Sequence, residues 1–232
     1  MKITKMVLIR HGESQWNKLN RFTGWHDIDL SEQGLLEAKK SGQLLKSKKF
    51  YFDYCFTSLL KRAIHTLWNI LIELNQSWLP TKKTWRLNER HYGSLQGVNK
   101  LETISKYGEK VVEQWRRGYE IVPPKLEKIN QIYSGYDEKY REISDLEKPM
   151  SESLKMTKDR VIPFWNKEIF PKIKKNKTVL IVAHGNSLRA LMKHLSNIKD
   201  NQIINLDIPT GTPIVYEFDE KIIPIKYYFL KK

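Results

Sequence analysis

Two apolar stretches that each end in a His-Gly pair constrain the fold of this chain most strongly. Residues 6–9 run directly into Arg10-His11-Gly12, and residues 178–183 run directly into His184-Gly185. In open α/β sheets the carboxyl ends of parallel strands form the ligand crevice, and the free N–H groups at the start of the next helix favour phosphate. We therefore predict that two strand ends present two histidines to one anion-binding pocket, where a histidine can accept a phosphoryl group.

The rest of the chain alternates short apolar segments with helix-length amphipathic segments, which predicts an α/β fold with a parallel sheet. Further strands are predicted at residues 52–57 and 85–87, with a C-terminal hairpin at 213–218 and 222–229. Helices are predicted at residues 13–18, 31–45 with Ser31 as the cap, 59–74, 100–107, 109–119, and from Ser151 or Ser153 to about Lys167. Residues 125–149 are predicted to form a long surface excursion, a kind of segment that often has a function. No linker divides the sequence, so we expect one domain over residues 1–232.

The composition narrows the classes of function. The net charge of +15 comes mostly from lysines scattered among Ile and Asn, without the aromatic-interleaved basic stripe of a nucleic-acid-binding protein. No apolar stretch approaches the roughly 18 residues of a membrane helix. The sequence enters its first strand soon after Met1, so we expect a cytoplasmic protein without a signal peptide. The single cysteine, Cys55, lies in an apolar run that predicts a buried thiol.

Phosphoryl transfer through a histidine needs a neutral ring nitrogen facing phosphorus, positive groups around the phosphoryl oxygens, and an acid/base for the substrate hydroxyl. His11 is the candidate nucleophile, with Arg10 and Arg62 as nearby cations. His184 is the second imidazole and, when protonated, can stabilise charge on the transferring group. Glu89 stands in a polar loop after a short predicted strand and is the candidate acid/base.

These residues also have structural interpretations. A lone histidine after a strand is usually structural, but two His-Gly pairs after buried strands argue against coincidence. Glu89 fits equally well as a surface salt-bridge partner of Arg86 or Arg90, and Arg116-Arg117 fits a solvated helix face. The other histidines follow no comparable pattern and are assigned to packing, hydrogen bonding or the surface: His26, His65, His91 and His194. Metal-ligand spacings and nucleotide-binding motifs do not occur, so the chemistry is predicted to need neither metal nor nucleotide.

Several longer motifs resemble the cofactor-dependent phosphoglycerate mutases of the histidine phosphatase superfamily. The resemblance covers essentially the whole chain in collinear order, at residues 8–17, 21–25, 58–63, 87–93, 115–117 and 183–189. Arg-His-Gly alone marks the superfamily, whereas the motif at 88–93 together with Trp115-Arg116-Arg117 is specific to the mutase branch. The resemblance implies a three-layer α/β/α fold with a mostly parallel central sheet, and a homodimer.

The resemblance also implies an activity, the interconversion of 3-phosphoglycerate and 2-phosphoglycerate through a phosphohistidine on His11. The cofactor 2,3-bisphosphoglycerate would prime the enzyme, and no metal would take part. Glu89 would exchange protons with the substrate hydroxyls, while Arg10, Arg62 and His184 hold the phosphoryl group. Further family positions would bind the substrate's carboxylate and second phosphate: Ser14, Asn17, Thr23, Gly24, Arg90, Tyr92, Lys100, Arg116, Arg117, Gly185 and Asn186. Bidentate guanidinium recognition suits both kinds of group.

This chain departs from the family pattern in two places. Residues 119–124 read Tyr-Glu-Ile-Val-Pro-Pro, where many members have Tyr-Asp-x-Pro-Pro-Pro. The sequence ends at Lys232, where many relatives continue in a tail, and this difference predicts greater exposure of a phosphorylated His11 to water. Two other functions stay open: a phosphatase of the same superfamily that hydrolyses small phosphate monoesters, and an inactive basic protein that binds nucleic acid.

Overall fold

A six-stranded sheet forms the centre of the computed structural model, which describes residues 3–127 and 133–231. The strands are β1 (Thr4–Arg10), β2 (Tyr54–Thr57), β3 (Thr81–Lys83), β4 (Val179–Ala183), β5 (Ile214–Phe218) and β6 (Pro224–Phe229). Their order across the sheet is β3-β2-β4-β1-β5-β6. The first four in this order run parallel, and β5 and β6 extend the β1 edge as an antiparallel hairpin. The expected mostly parallel sheet is confirmed.

Helices cover both faces of this sheet. They are α1 (Gln15–Lys18), α2 (Glu32–Ser47), α3 (Lys61–Leu74), α4 (Lys100–Tyr107), α5 (Glu109–Arg117), α6 (Leu154–Phe164), α7 (Phe170–Lys174) and α8 (Gly185–Leu195). Successive residues of β1 point to opposite faces. Met6 and Leu8 belong to the core that α6, α7 and α8 cover, whereas Val7 and Ile9 belong to the core that α2 and α3 cover. The three-layer α/β/α arrangement is therefore confirmed.

The pairing of β1 with β4 sets the position of the two histidines. Arg10 lies opposite Ala183 in the parallel register. The backbone N–H of His11 donates a hydrogen bond to the Ala183 carbonyl at 2.9 Å. His11 and His184 therefore leave neighbouring strands at the same edge of the sheet, where the sequence pattern predicted a shared pocket.

A close backbone approach joins the segment after β1 to the first turn of α2. Ser31 caps α2, as predicted, because its hydroxyl accepts the Gly34 N–H at 3.1 Å. A Cβ atom on Gly34 would lie 2.0 Å from the Glu13 carbonyl oxygen, and one on Gly12 would lie 2.2 Å from the Gly34 carbonyl oxygen. Side chains do not fit at either glycine, so α2 packs directly against the backbone that follows His11.

We expect Gly34→Ala to lower the free energy of unfolding by about 1–3 kcal/mol, because the added methyl group must push α2 away from the Glu13 carbonyl. Urea unfolding of the variant and the wild type measures this difference. Gln33→Ala, at an exposed position of the same helical turn, is the control and should keep the wild-type midpoint. Equal midpoints for Gly34→Ala and the control would contradict the close approach.

The strand predicted at residues 85–87 is wrong. Trp85–Leu87 form a 3₁₀ helix, and the strand beside β2 is β3, whose last pair joins Thr57 to Lys83. Thr84 explains the difference, because its hydroxyl accepts the Arg86 N–H at 3.2 Å and this local bond competes with strand pairing.

The helix predicted to end near Lys167 is also corrected. Ser153 caps α6, and helical structure continues through a π-helical stretch (Trp165–Ile169) into α7. Pro171 has no N–H to offer the Lys167 carbonyl, and the wider π turn accommodates it, with the Phe170 N–H bonded to the Trp165 carbonyl. The other predicted helices are found, although α1, α3 and α5 are each two residues shorter than expected.

The excursion at residues 125–149 contains two short 3₁₀ helices, Ser134–Tyr136 and Glu138–Tyr140. Residues 128–132 of this excursion lie outside the described part of the chain. Met1 and Lys232 also lie outside it, so the expectations about the two chain ends fall on residues that are not described.

Cys55 is buried, as predicted, and burial raises the pKa of its thiol to about 12. In the described ranges, no helix combines the length and the apolar character needed to span a membrane.

Candidate active site

A cavity opens beside the carboxyl ends of β1 and β4 and the N-terminus of α8. Most residues predicted for the site line it: Arg10, His11, Asn17, Thr23, Gly24, Arg62, Glu89, Tyr92, Lys100, Arg116, Arg117, Gly185 and Asn186. His184 and Arg90 contact these residues from behind, and Ser14 lies outside the lining. Arginine and lysine side chains outnumber carboxylates in the lining, so the cavity favours an anion.

The His11 ring is held in one orientation in this cavity. Its Nδ1 atom lies 2.7 Å from the Gly12 carbonyl oxygen, so Nδ1 carries the proton and donates it there. The Nε–H of Arg62 lies 3.3 Å from the other nitrogen, Nε2. Burial, together with the Arg62 and Arg10 cations, holds the pKa of His11 well below its usual range. A neutral imidazole with its lone pair on Nε2 is the form that can attack phosphorus.

His184 lies next to His11, with the two ring centroids 4.9 Å apart. Its Nε2 atom forms a hydrogen bond of 2.7 Å with the Ser58 hydroxyl, and this hydroxyl accepts the Leu60 N–H at 3.1 Å. Burial lowers the pKa of His184, and the nearby Arg62 and His11 lower it further. Its Nδ1 atom is buried and has no hydrogen-bond partner among the described residues.

Arg62, in the first turn of α3, is held by backbone carbonyls. Its Nη2 atom donates to the Gly24 carbonyl and its Nη1 atom to the His26 carbonyl, each at 2.8 Å. Burial lowers the pKa of Arg62 to about 10, and the nearby Glu89 and Asp27 carboxylates oppose this shift. The guanidinium therefore stays charged beside His11 at neutral pH.

Glu89 is a buried carboxylate and not a surface salt-bridge partner. The residue is 8% exposed, and its Oε1 atom accepts the backbone N–H groups of Arg90 at 2.8 Å and Asn186 at 3.0 Å. Arg86 pairs instead with Glu147. The Glu89 side chain reaches the cavity lining with one oxygen fixed by two N–H groups, a placement that suits proton exchange with a bound hydroxyl.

A second group of cations, Lys100, Arg116 and Arg117, lines the cavity together with His11. A hydrogen-bond network holds the helix end that carries Arg116 in place. Arg90 donates through Nη2 to the Asn186 side-chain oxygen at 2.8 Å and to the Arg116 carbonyl at 2.6 Å. The Asn186 amide donates to the Tyr92 hydroxyl at 3.0 Å. The end of α5, which carries Arg116, is thereby tied to the start of α8.

Three residues of this region received no role from the sequence, namely Arg21, Ser58 and Arg189. Arg189 donates to the Asn186 side-chain oxygen and to the Arg117 carbonyl, each at 2.9 Å. It follows Asn186 by three residues, so helical spacing alone places both on one face of α8. Arg21 lines the cavity and Ser58 contacts His184, but neither has a comparable signal apart from its place in a matching motif.

Ser14 and Asn17 cap α1 reciprocally. The Asn17 N–H donates to the Ser14 hydroxyl, and the Ser14 N–H donates to the Asn17 side-chain oxygen, each at 3.1 Å. Asn17 lines the cavity and Ser14 does not. Ser14 therefore orients Asn17 from outside the cavity.

Several buried polar atoms near the cavity have no hydrogen-bond partner in the part of the chain that the structure describes. They are the Nε atoms of Arg10, Arg90 and Arg189, the Nη1 atom of Arg90, the Oγ1 atom of Thr23 and the Nδ1 atom of His184. A buried donor without an acceptor is costly. These atoms indicate a cavity built for a ligand with many acceptor oxygens.

The sequence model of branch 1 of the histidine phosphatase superfamily matches residues 6–149 and 135–229. These ranges contain both His-Gly pairs and every lining residue named above. The chain belongs to this superfamily. The resemblance inferred from the sequence motifs is thereby confirmed at the level of the histidine phosphatases.

Solved structures of several other proteins share this fold. The alpha-ribazole phosphatase from Shigella flexneri is 20% identical with a TM-score of 0.70, over 98% of this chain and 96% of that chain. A mycobacterial glucosyl-3-phosphoglycerate phosphatase is 20% identical with a TM-score of 0.72, over 99% and 98%. The phosphoglycerate mutase from Bacillus anthracis is 21% identical with a TM-score of 0.68, over 98% and 92%. Structural similarity at about 20% sequence identity establishes the fold but does not identify the reaction.

Lys100, the first residue of α4, differs from the other cations of the cavity because it can lose its charge. Burial, together with the Arg116 and Arg10 cations, lowers the pKa of Lys100 to about 8, although Glu89 opposes the shift. Below this pKa the ammonium group is charged and attracts an anion. Above it the amine is neutral and the attraction is lost.

We expect the affinity of the cavity for a phosphate monoester to weaken by roughly tenfold between about pH 7.5 and about pH 9.5, the scale of one lost charged hydrogen bond. Phosphate monoesters have their second pKa near about 6, so the ligand itself stays fully charged in this range. Titration calorimetry across the pH range measures the change. Lys100→Arg should remove most of the dependence because arginine keeps its charge, and Lys106→Arg, at an exposed position of α4, should not. The same slope in Lys100→Arg as in the wild type would refute this assignment.

Proposed function

We propose that this protein is a phosphoglycerate mutase, which interconverts 3-phosphoglycerate and 2-phosphoglycerate in glycolysis and gluconeogenesis through a phosphohistidine on His11. The observation that carries the proposal is the second group of cations in the cavity. A simple phosphate monoester needs only the cations beside the reacting histidine, whereas a phosphoglycerate also has a carboxylate, and its bisphosphate has a second phosphate. Arg116 and Lys100 supply positive charge for these additional groups, and Arg117, which pairs with Asp207 at 3.0 Å, lies beside them.

The residues of the cavity fit 2,3-bisphosphoglycerate as a priming cofactor. The unpartnered nitrogens of Arg10, Arg90 and Arg189 all lie close to the same cavity, and each requires an acceptor. Guanidinium groups match the planar, bidentate geometry of carboxylate and phosphate oxygens. When bound, 2,3-bisphosphoglycerate would supply the phosphoryl group that charges the enzyme before its first turnover.

The proposed reaction forms a bond from His11 Nε2 to phosphorus and breaks the bond from phosphorus to a substrate oxygen. Nδ1 keeps the proton that it donates to the Gly12 carbonyl, so the attacking lone pair is on Nε2, where phosphorus would replace the Arg62 Nε–H. Glu89 donates a proton to the departing oxygen and, in the return step, takes one from the hydroxyl that receives the phosphoryl group. Arg10 and Arg62 neutralise the other phosphoryl oxygens. In turnover the loaded enzyme runs the return step first, so that the phosphoryl group on His11 passes to the free hydroxyl of 3-phosphoglycerate. Transfer of the other phosphate of the resulting bisphosphate to His11 then leaves 2-phosphoglycerate and restores the loaded enzyme.

The experiment that tests this function combines intact mass with product analysis. Brief exposure to 2,3-bisphosphoglycerate should add one acid-labile phosphate to the protein. The loaded enzyme should convert 3-phosphoglycerate to 2-phosphoglycerate without stoichiometric release of inorganic phosphate. Arg116→Met should raise the KM for 3-phosphoglycerate, whereas Lys110→Met, at an exposed position of α5, should behave as the wild type. Conversion that needs no bisphosphate and releases phosphate would overturn the mutase proposal.

A phosphatase of the same superfamily is the second candidate function. The specific observation in its favour is that the Shigella flexneri and mycobacterial proteins with this fold are named phosphatases. His11 would then form the same phosphohistidine, and water would be the acceptor. Release of inorganic phosphate and glycerate in equal amounts from 3-phosphoglycerate, with no 2-phosphoglycerate formed, would favour this function.

We expect phosphoryl transfer to withstand exhaustive treatment with EDTA. Within residues 3–127 and 133–231, no group of three or more His, Cys, Asp or Glu side chains is placed to hold a metal ion. Arg10 and Arg62 would stabilise the developing charge in place of a metal. Turnover before and after treatment and gel filtration measures the effect. Activity that disappears and returns with one divalent ion would contradict the proposed chemistry.

The oligomeric state, the binding partners and the cellular location of the protein remain predictions. We expect a cytoplasmic homodimer without nucleic-acid or membrane partners. Sedimentation equilibrium tests the dimer. If the protein is retained on immobilised RNA at low salt and released at high salt, its net charge of +15 contributes to binding a nucleic acid.

A further inference from the structure

The loop at residues 24–29, here called the Arg62 loop, decides where the Arg62 guanidinium lies. Its Gly24 and His26 carbonyls accept the two Nη groups of Arg62, and the remaining Nε–H points to His11 Nε2. All three donor nitrogens of Arg62 are therefore engaged. A shift of the loop backbone would move the guanidinium relative to the reacting nitrogen of His11.

Lys139 anchors this loop from the surface excursion. Its Nζ atom lies 2.7 Å from Asp27 Oδ2 and 2.7 Å from Asp137 Oδ2. The other oxygen of Asp27 accepts the Lys61 N–H at 2.7 Å, at the residue directly before Arg62. Asp27 thus connects the excursion to the start of α3. The Asp27 side chain is 25% exposed, so loss of Lys139 would not leave its carboxylate charge deep in the core.

Tyr140 supports the same loop from the next position of the excursion. It is fully buried, and its ring centroid lies 4.9 Å from that of Trp25, which belongs to the Arg62 loop. The Tyr140 hydroxyl accepts a hydrogen bond from the Asn88 side chain at 2.8 Å. Trp25 in turn donates through Nε1 to the Glu89 carbonyl at 2.7 Å. Tyr140 therefore contacts the backbone segments on which Arg62 and Glu89 both depend.

We propose that Lys139 and Tyr140 are positioning residues that set Arg62 against His11. Neither residue lines the cavity, so both act through Asp27 and Trp25. The inference rests on the proposed phosphoryl transfer at His11 and extends it to two residues that no sequence motif singled out. A catalytic group displaced by about 1 Å can lose about 10²-fold in rate, so this placement has a measurable effect.

The test compares two lysines of the excursion. Lys139→Met removes the ion pair with Asp27, whereas Lys148→Met removes an ion pair with Asp145 that stays within the excursion. We measure the rate of phosphohistidine formation from 2,3-bisphosphoglycerate, kcat and KM for 3-phosphoglycerate, and the pKa of His11 by NMR. Circular dichroism checks that each variant is folded.

Lys139→Met should slow phosphohistidine formation by about 10-fold to 10²-fold. The KM for 3-phosphoglycerate should stay unchanged, because Arg116 and the cations around it are not touched. The pKa of His11 should rise, because Arg62 is one of the two cations that lower it. Lys139→Arg should restore the rate and the pKa, and Lys148→Met should match the wild type in both.

A wild-type rate and a wild-type His11 pKa in Lys139→Met would overturn the proposal. So would equal losses in Lys139→Met and Lys148→Met, since these would indicate a general effect of the excursion. If Lys139→Met does not fold, Asp27→Asn replaces it and should give the same changes, because it removes the ion pair with Lys139 while its amide oxygen can still accept the Lys61 N–H. Absence of phosphohistidine in the wild type would refute the proposed function instead, and the His11 pKa would still decide the positioning role.

Discussion

His11→Ala is expected to abolish phosphohistidine formation and mutase activity together. The variant loses the Nε2 atom that Arg62 contacts, and no other residue of the described cavity presents a neutral imidazole nitrogen in the same place. Loss of a catalytic nucleophile lowers turnover by about 10⁶-fold in a well-studied protease, and we expect a loss of this order. Mass after exposure to 2,3-bisphosphoglycerate and turnover of 3-phosphoglycerate measure the two effects.

The neighbouring imidazole provides the decisive comparison. His184→Ala should slow turnover while leaving His11 able to accept some phosphate, because Nε2 of His11 is untouched. His194→Ala, at an exposed position near the end of α8, should behave as the wild type. A phosphorylated His11→Ala protein would place the nucleophile elsewhere, with His184 as the first residue to examine.

Glu89→Gln is expected to lower turnover by about 10²-fold to 10⁴-fold while the protein stays folded. The glutamine side chain has nearly the same shape, and its amide oxygen can still accept the N–H groups of Arg90 and Asn186. It cannot exchange a proton with a substrate hydroxyl. Steady-state turnover measures the loss, and urea unfolding shows whether the fold is retained.

Glu147→Gln is the matched control for this substitution. Glu147 pairs with Arg86 on the surface, the arrangement that the sequence left open for Glu89. The control should keep wild-type turnover. If Glu89→Gln also turns over at the wild-type rate, Glu89 has a structural role and another group must serve as the acid/base.

The strands that carry the two histidines were predictable because their signal is local. Residues of β1 and β4 are buried on both faces of the sheet, so these strands read as continuous apolar runs whose ends are easy to see. The cap of α2 at Ser31 was equally visible. Where a local hydrogen bond competes with the pattern, as at Thr84, the prediction of a strand at residues 85–87 was wrong.

The candidate site was predictable as a set of residues but not as an arrangement. Sequence context left Glu89 open between a site carboxylate and a surface ion pair, and burial in the folded chain distinguishes them. Ser14 was expected in the cavity, yet it caps α1 and orients Asn17. The spacing of residues in the sequence does not show which side chains of a loop will point into the cavity after folding.

The amino-acid pattern alone established the α/β class and the two histidines at strand ends, and it predicts cationic, metal-free chemistry. These properties depend on residue type and on periods of two or about 3.6 residues, which a linear sequence displays. Folding decided that carbonyls of the Arg62 loop hold Arg62 and that Lys139 reaches Asp27, 112 residues away in the chain. Such contacts join segments that are far apart in the sequence and follow no repeating pattern, so only the tertiary structure brings them together.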